Sequence, residues 1–134
     1  MILIFVCLDS GTHPVIGKVW DRFPRCLADE GERYERYLCS ALSMTMHTPD
    51  HCTEALALLD SVQSRQSNET TFAVNDIEIT FTHRGAQVDI LIEDECGTAD
   101  GLFSLAEFRK AIVAWKGFLS EACTRELVLK VDIS

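Results

Sequence analysis

A chain of 134 residues, 47% apolar and 25% charged, has room for one domain that buries roughly two thirds of its unfolded surface. It is too short for two ordinary domains. Its net charge of −9 argues against nucleic acid or an anionic membrane as a direct partner and favours a basic protein.

The opening "MILIFVC" is apolar, has no basic flank and stops before Asp9. It is too short for a signal core or a membrane span and reads as a buried first strand, which places the chain in the cytosol. "PVIGKVW" (Pro14 to Trp20) reads as a second strand. Asp29 and Glu32 have the spacing of a helix start, followed at helical intervals by Tyr34, Tyr37, Leu38, Ala41 and Leu42. The alternation of "LSMTM" leaves the end of that helix open. Thr48-Pro49 supplies an N-cap and a first-turn proline, and Cys52, Ala55, Leu56, Leu59 and Val62 then form one apolar helix face until "SRQSNET" interrupts it.

Residues 76 to 93 read as a hairpin. Ile77, Ile79 and Phe81 alternate on one arm and Val88, Ile90 and Ile92 on the other. A turn centred on Arg84-Gly85 pairs Phe81 with Val88, Ile79 with Ile90 and Ile77 with Ile92, and a one-residue slip would destroy every such pair. The next helix opens on a capping box, Ser104 and Glu107, with Phe103 and Phe108 at the two positions of a hydrophobic staple. Phe108, Ala111, Ile112, Trp115, Phe118, Leu119 and Ala122 continue its apolar stripe. "LVLKVDI" closes the chain as a strand. The expected fold is a single α+β domain over residues 1–134, with helices packed on one face of a mostly antiparallel sheet.

The charge is not evenly spread. Between Gln66 and Phe108 lie nine acids and one base, Arg84, so this third of the chain holds eight of the nine net negative charges. With the apolar residues on one hairpin face, Asp76, Glu78, Asp89 and Glu93 share the other, and the register above sets Asp76 opposite Glu93. Like charges across strands are destabilising, so a whole face of them is expected to meet a cationic partner, together with Asp94, Glu95 and Asp100. Leu91 shares the outer face, as an interface anchor or as a base for further packing. The plain alternative is a solubilising acidic surface that binds nothing.

The chemical alternatives are weaker. His47, His51 and Cys52 cluster, but Pro49 interrupts them and no second ligand pair at zinc spacing follows. "DECGTADG" lacks the spacing of a calcium loop. Cys96 with His83 is expected to make a poor nucleophile, because the acids before Cys96 disfavour a thiolate there. No catalytic residue, cofactor or metal is assigned, and the chain is not read as an enzyme. The six cysteines lack C-x-x-C pairs and are expected to be free thiols, with Cys7 and Cys123 as small core residues.

"VNDIEITFTHRGAQVDILIED" and "FSLAEFRKAIVAWKGFLS" resemble small bacterial immunity proteins of contact-dependent growth inhibition systems. The resemblance covers roughly Val74 to Ser120, about a third of the chain. It rests on an alternating hairpin, an aromatic residue at the helix entry and a Trp-containing amphipathic helix. It implies a cytoplasmic protein that binds and neutralises the C-terminal toxin domain from a rival cell, often a basic nuclease acting on tRNA or DNA. The contacts expected from the hairpin register are Asp76, Glu78, Asp89, Leu91, Glu93, Asp94, Glu95 and Asp100. An acidic adaptor for another basic protein is the alternative, and a small hydrolase using acid pairs is a third.

Overall fold

A computed structural model describes residues 1–27, 31–93 and 95–134. Asp29, half of the first helix-start signal, and Asp94 lie outside the described residues.

β1 (Ile2–His13) pairs antiparallel with β2 (Gly17–Cys26) on one side and with the C-terminal β7 (Leu127–Asp132) on the other. The order of this first sheet is therefore β2-β1-β7. Alternation along β1 turns Leu3, Phe5 and Cys7 into the core. The second strand begins later than the sequence suggested. Val15 and Ile16 sit exposed before it, and β2 runs on to Cys26.

After β2 a π-helical segment, Tyr34–Cys39, passes directly into α1 (Ser40–Thr45). The open question about "LSMTM" is thus resolved as helix up to Thr45. α2 (Pro49–Gln63) begins as its cap predicts: the Thr48 side chain accepts a hydrogen bond from the His51 N–H at 3.3 Å, and Pro49 takes the first helical position.

The second sheet, in order β3-β4-β5-β6, is also antiparallel throughout. It comprises β3 (Glu69–Val74), β4 (Ile77–Thr82), β5 (Gly85–Ile90) and the two-residue β6 (Leu102–Phe103). α3 (Leu105–Ser120) follows, its start fixed by Ser104, whose hydroxyl accepts from the Glu107 N–H. Burial, and after it the negative charge of Glu107, raise the Tyr34 pKa.

The fold class is α+β, as expected, but the strands divide between two sheets and α3 joins them. At its start Phe108 packs against Phe81 and Phe103, with ring centres 6.0 and 6.1 Å apart. Near its end Trp115 and Phe118 pack on Phe5 at 5.0 and 5.6 Å. One buried cluster consequently contains residues of both sheets. The end of α3 is closed from β2, where Arg22 donates to the carbonyls of Leu119 and Glu121. A cation on these last carbonyls satisfies acceptors that the helix cannot and suits the negative end of its dipole.

The expectation of free thiols fails for one pair. Cys7 and Cys123 are joined as a disulfide, their Cα atoms 6.4 Å apart and 116 residues apart in sequence. Cys7 points inward from β1 toward the end of α3, where Cys123 leaves the helix. Cys26, Cys39, Cys52 and Cys96 remain free. Burial pushes the Cys39 thiol up to about 12 and the Cys52 thiol up to about 11, so both stay protonated and inert.

Candidate functional site

The acidic hairpin forms, in a register two residues from the expected one. β4 and β5 pair Phe81 with Ala86, Ile79 with Val88 and Ile77 with Ile90, in place of Phe81–Val88, Ile79–Ile90 and Ile77–Ile92. The reason lies in the turn. Thr82 pairs with Gly85, leaving a loop of only His83 and Arg84, and the Thr82 hydroxyl accepts from the Arg84 N–H. The positive φ falls on Gly85, at +140°. A side chain is impossible there in any case, because a Cβ would lie 2.3 Å from the Phe103 carbonyl oxygen of β6. A slip of two residues preserves the faces, so the apolar side still points inward.

The slip changes which charges meet. Glu78 stands directly opposite Asp89 on the outer face, whereas the expected Asp76–Glu93 pairing does not occur. Asp76 lies in the tight turn between β3 and β4, beside Asn75 at φ 53°. Its carbonyl accepts from the Leu91 N–H at 2.7 Å, which extends the ladder by one residue. Leu91 is 47% exposed and Ile92 74%, so Ile92 is not the core residue that the expected register made it. Glu69 on β3 adds a further acid to this outer face, which otherwise carries Thr71, Thr80, Thr82 and Gln87.

Beyond Ile90 the chain folds back along β5. The Gly97 N–H donates to Asp89 Oδ1 at 2.7 Å, and Gln87 Nε2 donates to the Thr98 carbonyl at 2.9 Å. These two bonds fix the loop that carries Glu95 against the acidic side of the hairpin. On the loop's other flank, Glu93, Glu95, Thr98 and Asp100 line an open recess of about 550 Å³ with Arg36 and Tyr37 from the π-helical segment. Arg33 holds the same helix in place. It donates to the carbonyls of Asp100 and Leu102, and its guanidinium lies over Tyr34 and Phe103, 4.5 and 4.6 Å from the ring centres.

Arg36 corrects the sequence count. Glu93 accepts from Arg36 in an exposed ion pair, and that bond, more than Tyr37 or Asp100, raises the Arg36 pKa. One of the three consecutive acids is therefore matched by a base 57 positions away, which a count along the chain cannot detect. Among the described residues, Asp76, Glu78, Asp89, Glu95 and Asp100 make no ion pair. Glu69 and Arg36 were missed in the sequence. The strand pattern of "ETTFAV" offered the only signal for Glu69.

The histidine cluster has a local explanation. The His47 N–H donates to His51 Nδ1 at 3.1 Å, while the thiol of Cys52 is buried. Among the described residues no group of three His, Cys, Asp or Glu is placed to hold a metal ion. No helix among them is long and apolar enough to cross a membrane. Comparison with family models, with curated proteins and with solved structures finds no match to this chain.

Proposed function

We propose that this chain is an immunity protein of a contact-dependent growth inhibition system. In this reading it acts in the cytoplasm and neutralises a cognate basic toxin domain, a nuclease directed at tRNA or DNA, by binding rather than by catalysis. The observation that carries the reading is the pairing of like with exposed apolar. Glu78 and Asp89 face each other across two strands, and beside them Leu91 and Ile92 stand in solvent next to Asp76 and Glu93. An apolar centre with a charged margin is the anatomy of a protein interface.

Each part has a role in such a complex. The uncompensated carboxylates raise the rate of encounter with a basic surface. Leu91 and Ile92 supply area that gains from leaving water. The recess beside Arg36 offers Glu95 and Asp100 to an entering lysine or arginine, with Arg36 already engaged by Glu93. A nuclease cleft built to hold phosphates presents the complementary charge.

The test is co-expression with the C-terminal domain encoded by the gene directly upstream, scored as rescue of growth. The wild-type chain should rescue. Glu78→Lys combined with Asp89→Lys should weaken binding more than tenfold, at roughly 1.4 kcal/mol per factor of ten, and abolish rescue with an unchanged circular dichroism spectrum. No rescue by the wild-type chain, with recovery of a housekeeping protein instead, would make it an adaptor. Phosphodiester turnover by the purified chain would make it a hydrolase.

A further inference from the structure

The first sheet ends in a strand that its own fold leaves half used. The Ile133 N–H donates to the Met1 carbonyl, which fixes the phase of the β1–β7 ladder. Leu127, Leu129 and Val131 turn their backbone groups to β1, and Val128, Lys130 and Asp132 turn theirs to the open edge. Among the described residues no other strand pairs with that edge. Val128 is 59% exposed, and Leu127 and Leu129 on the opposite side are 41% and 42% exposed. An apolar edge strand of this kind is a template for another strand. The far edge of the sheet differs: β2 carries Pro24, Lys18 and Arg25, residues that discourage pairing.

The outer face of the same sheet carries one row that is apolar across its whole width. Val6 stands between Phe23 on β2 and Val128 on β7, with Ile2, Ile4 and Leu8 along the same strand. Little net charge opposes an approach here, because outside residues 66–108 the chain holds eleven bases and twelve acids.

We propose that β7 pairs antiparallel with β7 of a second copy about a two-fold axis at Val128, making a six-stranded sheet in the order β2-β1-β7-β7-β1-β2. The sequence is self-complementary in this register. Val128 meets its own copy, Leu127 lies opposite Leu129, and Lys130 lies opposite Glu126, twice. Neither Lys130 nor Glu126 makes an ion pair within the chain among the described residues. Moving the axis to Leu129 sets Glu126 against Asp132, and moving it to Lys130 sets that lysine against itself. Both place like charges directly opposite. The chosen register forms about six new backbone hydrogen bonds, because the groups of Val128 and Lys130 already point outward. It also runs the stripe Phe23–Val6–Val128 through the axis into its symmetric copy.

Sedimentation equilibrium of the full chain at low salt, over about 1 μM to 1 mM, reads the proposal directly. A dimer of twice the chain mass is expected, with Kd in that range. Val128→Pro should raise Kd at least about tenfold, since its N–H faces the edge and proline is tolerated there without loss of the β1 ladder. Lys130→Glu and Glu126→Lys should each raise Kd about fivefold, and the two together should return it to within about twofold of the wild type. This charge exchange decides the register even if the proline variant fails to fold. A chain that stays monomeric throughout, or a dimer indifferent to the exchange, overturns the proposal. So does a monomer whose β7 edge instead accepts a strand from another protein.

Discussion

The two sheets share one core and turn opposite faces to solvent. The outer face of β2-β1-β7 is apolar, with charges of both signs at its margins, Arg25 and Lys130 flanking Ile4 and Asp21 beside Leu8. The outer face of β3-β4-β5-β6 is polar, with threonines and the acids Glu69, Glu78 and Asp89. A strand's inner residues answer to the core and are alike in both sheets, while its outer residues are free to differ. That freedom leaves room for the two proposed binding surfaces, one for a basic protein and one for a second copy.

The largest effect belongs to the shared core. Phe108 is fully buried at the start of α3, against Phe81 and Phe103, while the other end of that helix supports Phe5. Phe108→Ala should cost about 3–5 kcal/mol. Because the core is continuous, the loss should appear equally in far-UV circular dichroism and in the fluorescence of Trp20 and Trp115, both on the side of the first sheet. A fluorescence midpoint that stays in place while the dichroism midpoint falls would mean that the sheets unfold separately.

Next comes the disulfide, which lies on one side only. Reduction of Cys7–Cys123, or replacement of both residues by serine, should lower stability by about 2–4 kcal/mol, the usual range for a disulfide. In a reducing compartment the bond would stand open, so the reduced protein is the relevant state for a cytoplasmic role. Affinity for a basic partner should be the same in both states, because the acidic face lies on the other sheet. A large change in affinity on reduction would show the two faces to be coupled.

What the sequence made legible follows from the range over which each signal acts. Thr48-Pro49 and Ser104 act within a turn or two of helix and appear as expected, and the stripe expected from Phe108 to Ala122 is buried as far as Phe118, with Ala122 exposed past the end of the helix. Alternation in "DIEITFT" and "QVDILIE" assigned the hairpin faces correctly as far as Ile90, whereas Ile92 lies exposed beyond the strand. The register missed by two residues because the turn closes on His83 and Arg84, with Gly85 already in β5 against Phe103 of β6, a contact that local turn chemistry does not contain. β3 was hidden by polar outer residues, Glu69 and Thr71. The partnership of Arg36 with Glu93 and the bond between Cys7 and Cys123 depend on the completed fold. The acidic face was therefore legible as a composition, but its internal pairing was not.

The smallest predicted effect discriminates most sharply, because stability and binding should move in opposite directions. Glu78 and Asp89 face each other, half-buried, and Asp89 is further held by the Gly97 N–H. Glu78→Lys turns a repulsive cross-strand pair into an attractive one, worth about 0.2–1 kcal/mol, or a rise in Tm of up to about 4 °C. Glu78→Gln should fall between the two. The gain should shrink as salt is raised, since partly exposed charges are screened. The same substitution removes an acid from the proposed contact surface and should weaken a basic partner's binding. A residue with no part in binding would raise stability and leave affinity unchanged when the repulsion is relieved. A Glu78→Lys variant that is more stable and binds less well therefore means that the repulsion is maintained for the partner; one that is less stable at low salt means that the two carboxylates do not oppose each other.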